Sequence, residues 1–361
     1  MASTAEGRIA GFDGLRALAF LLVFFSHKSG IAHADPFGDV GVWLFFVLSG
    51  FLITRILNTA RGAAQSGEIS AAGALGRFYL RRTARIFPPY YLILGLAWIA
   101  SHFVTVNGWW PTAGIAYGLF ATNLFIAARN DWVGDFGPFW SLAVEEQFYL
   151  LFAPLMLFLP KIRPATLCVA LIVLAIGVKA GLEASGAPPT PIDVNSFVNF
   201  GLLALGGLIG LNLERPTWAW LTSGWAQAAT GLAYLALPIF LGAAEGWMTF
   251  AKASGLVAGL LIFQIARGQE SFVVRGLEAW PLKAIGRVSY GAYLIHHFIH
   301  LDGLGTAAAE LGLGARGAHL VQGAGELAVT LMVAGLSWRL LERRCIAWAA
   351  RRTASRPSPA V

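Results

Sequence analysis

The amino-acid sequence predicts an all-α fold, a polytopic membrane helix bundle of about ten transmembrane helices with one further re-entrant or interfacial segment. Three observations carry this expectation. Hydrophobic residues make up 57% of the 361 residues and charged residues only 12%, about half of the roughly 25% usual in a soluble domain. Apolar runs of 15 to 25 residues recur between residues 15 and 341. Each run is bounded by Arg, Asp, Pro or Gly, the pattern of repeated bilayer crossings.

Taken in order, the runs predict spans near residues 15–29, 39–57, 88–106, 139–159, 165–184, 196–213, 226–241, 247–266, 284–302 and 318–340. The stretch 112–128 holds only about 15 strongly apolar residues, fewer than the roughly 20 that a spanning helix needs. Charge decides how to count it. Arg61, Arg77, Arg81, Arg82 and Arg85, then Lys161 and Arg163, then Arg267 and Arg275, and finally the arginines from Arg343 onward mark the cytoplasmic side. Ten spans with both termini inside satisfy every mark. An eleventh at 112–128 would place Lys161 and Arg163 outside, so this stretch is expected to be re-entrant or interfacial within an external excursion, 107–138. One membrane domain is expected over residues 1–350, with a disordered cytoplasmic tail at 351–361. No small-residue cleavage site follows the first apolar stretch, so no removable signal peptide is expected.

The net charge of +7 sits at span ends, which explains it without nucleic acid; the lipid bilayer is the partner it implies. Cys168 lies in an apolar run and Cys345 among arginines, so neither a disulfide nor a metal site is expected.

Polar residues inside the spans are the candidates for chemistry, because each is costly there. The first span, GFDGLRALAFLLVFFSHKSG, carries Asp13, Arg16 and His27. Arg16 and His27 share nearly one helix face about 16 Å apart. Asp13 can pair with Arg16. The fourth span, FWSLAVEEQFYLLFAPL, places Ser141, Glu145 and Tyr149 on one stripe at i, i+4 and i+8, whereas Glu146 points about 100° away. The ninth, IGRVSYGAYLIHHFIH, puts Ser289, Tyr293 and His296 on a shared face and leaves His297 and His300 facing elsewhere. His27, Glu145 and His296 fall at comparable depth toward the outer halves of their helices and are expected to meet. Ahead of the third span, GRFYLRRTARIFPPYY sets Arg82 and Arg85 three residues apart, beside Arg77 and Arg81. Such a cluster can set topology alone, but planar guanidiniums also suit a phosphorylated cofactor such as coenzyme A. The Pro88–Pro89 pair is expected to stop this basic helix and start the span.

Together these segments resemble the acyltransferase-3 family of membrane O-acyltransferases. The family's Arg, ten residues, His element is similar to Arg16 and His27, and its glycine-bearing second span to Gly41–Thr54. Its Arg-x-x-Arg element matches Arg82 and Arg85; its W-S-L-x-x-E-x-x-F-Y element matches Trp140 to Tyr149; its S-Y-x-x-Y-L-x-H element matches Ser289 to His296. The end, LERRCIAWAARR, lacks the proline expected after its Glu-Arg pair.

The resemblance implies acetyl-CoA or another acyl-CoA as donor, no metal, and a carbohydrate or glycosylated acceptor. It implies a place in the cytoplasmic membrane. Some relatives carry a soluble hydrolase-like domain after the membrane part; separate partner proteins of glycan assembly would take its place here. Arg16, Arg82 and Arg85 then hold acyl-CoA, and Asp13, Ser141, Tyr149, Ser289 and Tyr293 bind substrate or support the site. His27 acts as general base with Glu145 orienting its ring, or becomes acylated itself, with His296 beside them. Gly41, Gly50 and Gly95 are candidates for shaping an acyl pocket. The competing expectation is a proton-coupled glycan transporter or flippase, which also needs intramembrane His and Glu. Against it, the sequence lacks the paired interrupted helices of two matching halves.

Overall fold

The computed structural model describes residues 8–31, 34–241 and 254–354. All regular structure among them is helical. In chain order the helices are α1 (Phe12–Lys28), α2 (Asp35–Gln65), α3 (Ala71–Ala100), α4 (Pro111–Gly118), α5 (Thr122–Arg129), α6 (Phe139–Phe158), α7 (Pro164–Ala184), α8 (Pro189–Asp193), α9 (Ser196–Leu211) and α10 (Gly224–Leu241). They continue as α11 (Ser254–Arg267), α12 (Phe272–Leu277), α13 (Trp280–Ile295), α14 (Asp302–Glu310), α15 (Gly314–Ser337) and α16 (Arg343–Thr353). Residues 247–253 of the predicted eighth span lie outside the described residues, as do residues 355–361 of the expected tail. α16 carries the chain to Thr353, three residues into that tail.

Among the described residues, five stretches are long and apolar enough to cross a membrane: Asp35–Gln65, Gly134–Phe158, Pro164–Ala184, Pro189–Leu211 and Gly314–Thr353. The chain is a multi-pass membrane protein. Its apolar side chains point outward as well as inward. On α7, Val173 and Ile176 are 63% and 65% exposed, as lipid-facing positions must be.

Local sequence explains several helix ends. Ser70 and Asn195 accept the Gly73 and Val198 amides as N-caps of α3 and α9. Proline opens α2, α7 and α13, where its missing N–H costs nothing. Arg61, expected only as a topology mark, is buried and donates to the carbonyls of Met156, Pro160 and Ile162 at 2.7–2.8 Å. It caps the end of α6.

The proline pair departs from expectation. Pro88 and Pro89 lie inside α3, which runs unbroken from the basic cluster to Ala100. The carbonyls these prolines leave without an amide partner are those of Ala84 and Arg85. The Tyr290 hydroxyl bonds close by, donating to Ile86 O at 2.9 Å. The stretch 112–128 forms no single span: α4 and α5 have eight residues each and are separated at Phe120, whose φ is 52°.

The helices pack with defined directions. α1 and α13 run parallel, with Asp13 against Gly286 at one end and His27 against His296 at the other. α2 runs parallel to α9, since Gly50 meets Leu203 and Arg55 donates to Gly210 O. It also runs parallel to α6, since Phe46 packs on Trp140 and Arg61 reaches Met156. α3 is antiparallel to α6, with Phe78 on Tyr149 and Tyr90 on Phe139. Small residues permit the closest crossings. A Cβ on Gly50 would overlap the Leu203 carbonyl, and one on Gly206 the Val47 carbonyl. Gly41 likewise faces the Ala19 carbonyl, and Gly95 has no neighbour within 4 Å. Gly41, Gly50 and Gly206 therefore set helix spacing, and neither they nor Gly95 lines the cavity described below.

Candidate active site

A narrow cavity with room for water over about 100 Å³ opens between α1, α2, α3, α6 and α13. Of the predicted residues, Arg16, Arg82, Arg85, Ser141, Glu145, Tyr149, Ser289 and Tyr293 all line it. Asp13 lies at its edge, 3.1 Å from the Arg16 guanidinium and 3.2 Å from that of Arg8.

One end is basic. Arg16 comes from the first turns of α1 and Arg82 and Arg85 from one face of α3, so three guanidiniums share one mouth. Arg81 points elsewhere and donates to Thr353 Oγ1 on α16 at 2.6 Å. Along the wall, the stripe predicted on α6 holds. Tyr149 donates to Glu145 Oε2 at 3.0 Å and lies 2.7 Å from Ser49 Oγ. Glu146 does not line the cavity, and its Oε1 is buried with no partner. At the other end, Ser141 Oγ and Tyr293 OH are 2.7 Å apart, both within reach of Pro138 O.

Beyond Tyr293 the histidines take over. The Tyr293 carbonyl lies 2.7 Å from His296 Nδ1, and His296 Nε2 lies 3.0 Å from His27 Nδ1. A carbonyl only accepts, so His296 carries its proton on Nδ1 and its lone pair on Nε2. His27 must then donate through Nδ1, which leaves the lone pair of His27 on Nε2. Two contacts thus fix both tautomers.

The expected meeting of His27 with Glu145 does not occur. Glu145 faces Tyr149 and the arginine mouth, whereas His27 is oriented by His296. The physical reason is depth. Glu145 lies six residues into α6, about 9 Å below its start, while His27 is at the last turn of α1. His297 also departs from expectation. α13 ends at Ile295 and residues His296–Phe298 form a 3₁₀ turn, so the α-helical face no longer applies. The His297 ring packs 4.3 Å from the His27 ring. His300 faces Asp135 at 3.4 Å.

Three features escaped the sequence reading. Ser49 lines the cavity, yet a lone Ser in an apolar run gives no pattern; Tyr290 also lines it, inside the matched S-Y-x-x-Y-L-x-H element but at a position to which helical spacing gave no role. Lys28 forms a buried pair with Glu326 at 3.2 Å and donates to Ile299 O at 2.6 Å, anchoring α1 beside His27. A carboxylate within the predicted tenth span was the available signal. Glu342 is buried in the π-helical turn Trp338–Glu342, bonded to Ser337 and beside Gly291.

The acyltransferase-3 family, described as an acyltransferase domain, matches residues 9–302. The chain is 28% identical over 357 residues to the peptidoglycan O-acetyltransferase OatA of Listeria monocytogenes, covering 92% of this chain and 55% of that protein. It is 27% identical over 392 residues to the acyltransferase MdmB of Streptomyces mycarofaciens, covering 98% and 96%. The O-acetyltransferase OatA of Staphylococcus aureus is 24% identical over 315 residues, covering 80% and 50%. The chain thus spans about half the length of the OatA proteins and nearly all of MdmB. No solved structure matches it.

Proposed function

Because the chain belongs to the acyltransferase-3 family, we propose that it is a membrane-bound O-acyltransferase moving an acyl group, acetyl first, from acyl-CoA to a hydroxyl of a carbohydrate or glycosylated acceptor. The observation that carries this reading is the placement of the two ends of the site. One cavity leads from three arginines past Glu145 and Tyr149 to Tyr293. The His27–His296 pair lies next, at the end of α13 and outside the cavity lining, with His296 held by the Tyr293 backbone carbonyl.

The arginine mouth suits the phosphates of coenzyme A, since guanidiniums bind phosphate bidentately. The acyl thioester would extend toward Ser141 and Tyr293. His27 Nε2, with its lone pair free, takes the acceptor proton as the hydroxyl attacks the thioester carbonyl. His296 positions that ring and shares the imidazolium charge that develops, the part first expected of Glu145. Glu145 instead braces the donor side. An acylated His27 remains the alternative route for the same atoms.

Helix directions support the order of the ten spans, and the basic residues at span ends favour both termini in the cytoplasm. In that topology spans one and nine run in the same sense, as do spans two, four and six. The parallel pairs α1 with α13, α2 with α6 and α2 with α9 fit it. An eleventh span at 112–128 would make α2 and α6 antiparallel. The arginine mouth is then cytoplasmic, where acyl-CoA resides, and His27 opens outward, toward an acceptor at the outer face of the cytoplasmic membrane. The names of the OatA relatives favour a cell-wall or similar glycan as acceptor, with separate glycan-assembly proteins as partners.

The test is transfer by purified protein in nanodiscs, given radiolabelled acetyl-CoA and a panel of soluble glycans. Base-labile label on glycan, absent with His27→Ala, is the expected result. Neither transfer nor thioester loss, together with glycan uptake into proteoliposomes, would overturn it in favour of a transporter.

A further inference from the structure

His27, His296 and His297 bring one ring nitrogen each to within 4.8 Å of one another. We propose that these three histidines bind a single borderline divalent ion, Zn²⁺ in the first instance, and that its binding switches the transferase off. The binding stands on geometry alone; the switch rests on the role proposed for His27.

The rings are set up as ligands. His296 spends its Nδ1 proton on the Tyr293 carbonyl and turns Nε2 inward. The Nε2 of His297 is buried with no partner. In the Nδ1–H tautomer that nitrogen presents an unused lone pair. Histidine ligands in metal sites are held as His296 is, with the second ring nitrogen on a carbonyl or carboxylate that fixes tautomer and orientation. Two consecutive histidines reach one point because the chain leaves α-helical geometry at His296.

The spacing fits zinc. Zinc–nitrogen bonds of about 2.0–2.1 Å in a tetrahedral shell put ligand nitrogens roughly 3.4 Å apart. His27 Nδ1 and His296 Nε2, now 3.0 Å apart, need to open by only a few tenths of an ångström, and the third nitrogen, within 4.8 Å of the others, needs to close by no more than about 1.4 Å. A set of three neutral imidazoles selects zinc, copper or nickel over magnesium and calcium, which prefer oxygen. The nearby Lys28 ammonium does not oppose the ion as a bare charge, since Glu326 pairs with it.

The consequence for chemistry follows from proton placement. Without metal, His27 carries its proton on Nδ1 and offers Nε2 as base. A metal on Nδ1 needs that lone pair, so the ring proton moves to Nε2. No proton is lost overall, and three imidazole lone pairs bond the ion. The imidazole then has nothing with which to accept the acceptor's hydroxyl proton.

The experiment uses full-length protein with a histidine-free affinity tag in nanodiscs, dialysed against zinc chloride. Zinc is counted by mass spectrometry and its shell read by X-ray absorption. Wild type should retain one equivalent with an imidazole shell and melt at higher temperature with zinc than without. His297→Ala and His297→Gln should bind at least about tenfold more weakly while transferring acetyl at the wild-type rate. Zinc should inhibit wild type, reversibly with EDTA, and leave both variants active. Equal retention by wild type and the triple alanine variant of the three histidines overturns the site. One equivalent lost in the His297 variants, with wild-type transfer undiminished at saturation, keeps the site and overturns the switch. The same binding result without any transfer keeps the site and overturns the switch together with the transferase reading.

Discussion

His27 Nδ1 and His296 Nε2 lie 3.0 Å apart with ring planes 20° from parallel, and His296 is held in turn by the Tyr293 carbonyl. A base oriented by a second acceptor is the logic of the hydrolase triads, built here with a neutral imidazole in place of the carboxylate. Phe20 and Phe24 pack against His296, at ring-centroid distances of 6.2 and 6.3 Å, and keep that ring in place.

His296→Ala should therefore lower kcat by about 10²-fold while leaving the donor KM near wild type, since only orientation of the base is lost. His296→Gln should recover part of that loss, because its amide oxygen can still accept from His27 Nδ1–H. Steady-state kinetics on both variants, at matched folding, checks this. Equal damage in Ala and Gln variants would mean that His296 serves packing alone.

Glu145→Gln should reduce kcat/KM by about tenfold or more, the value of a lost charge-assisted hydrogen bond. Glu146→Gln should have a smaller effect. Glu145 lines the cavity and accepts from Tyr149, while Glu146 Oε1 is buried without a partner. Side-by-side kinetics decide, and the reverse ranking would move the chemistry to the opposite face of α6.

Much of this site was legible because helical spacing is rigid. Ser141, Glu145 and Tyr149 recur every four residues, and so fell on the cavity wall as α6 demanded. Arg82 and Arg85 followed for the same reason. What failed were inferences needing depth or a break in periodicity. Comparable distance from a span's end did not bring Glu145 to His27, since helices begin at different heights. His297 joined His27 only because α13 tightens into a 3₁₀ turn, which no spacing rule foretells. Pro88 and Pro89 read as a stop, yet α3 runs through them, and Tyr290, some two hundred residues later, bonds Ile86 O in the same turn. Long-range partners of that kind leave no local trace.

Sidedness can be read by cysteine labelling in a background lacking Cys345, the free cysteine that is not buried. Asp131→Cys, on the exposed loop after α5, should react with an impermeant maleimide in intact cells. Gln65→Cys, at the exposed end of α2, should react only after permeabilisation. Asp131 is preferred to Asn130, whose φ of 51° disfavours cysteine. Labelling of both in intact cells would reverse the assignment of the arginine mouth to the cytoplasm.

The double variant Arg82→Ala, Arg85→Ala distinguishes a donor site from a topological charge cluster. Both guanidiniums line the cavity with Arg16, and Arg82 is braced over the Phe78 ring at 6.0 Å. Contacts to the phosphates of coenzyme A would exist equally in ground and transition states. Their loss should thus raise the donor KM, by about tenfold or more, with a smaller change in kcat. The acceptor KM should stay close to wild type, because the histidine end is unaltered. Lysine replacements should rescue only partly, since an ammonium supplies charge without the planar fork. The neighbouring Arg81→Ala serves as control: Arg81 bonds Thr353 outside the cavity, and its loss should leave donor KM unchanged. An unchanged donor KM in the double variant, with membrane insertion intact, would return Arg82 and Arg85 to a purely topological role.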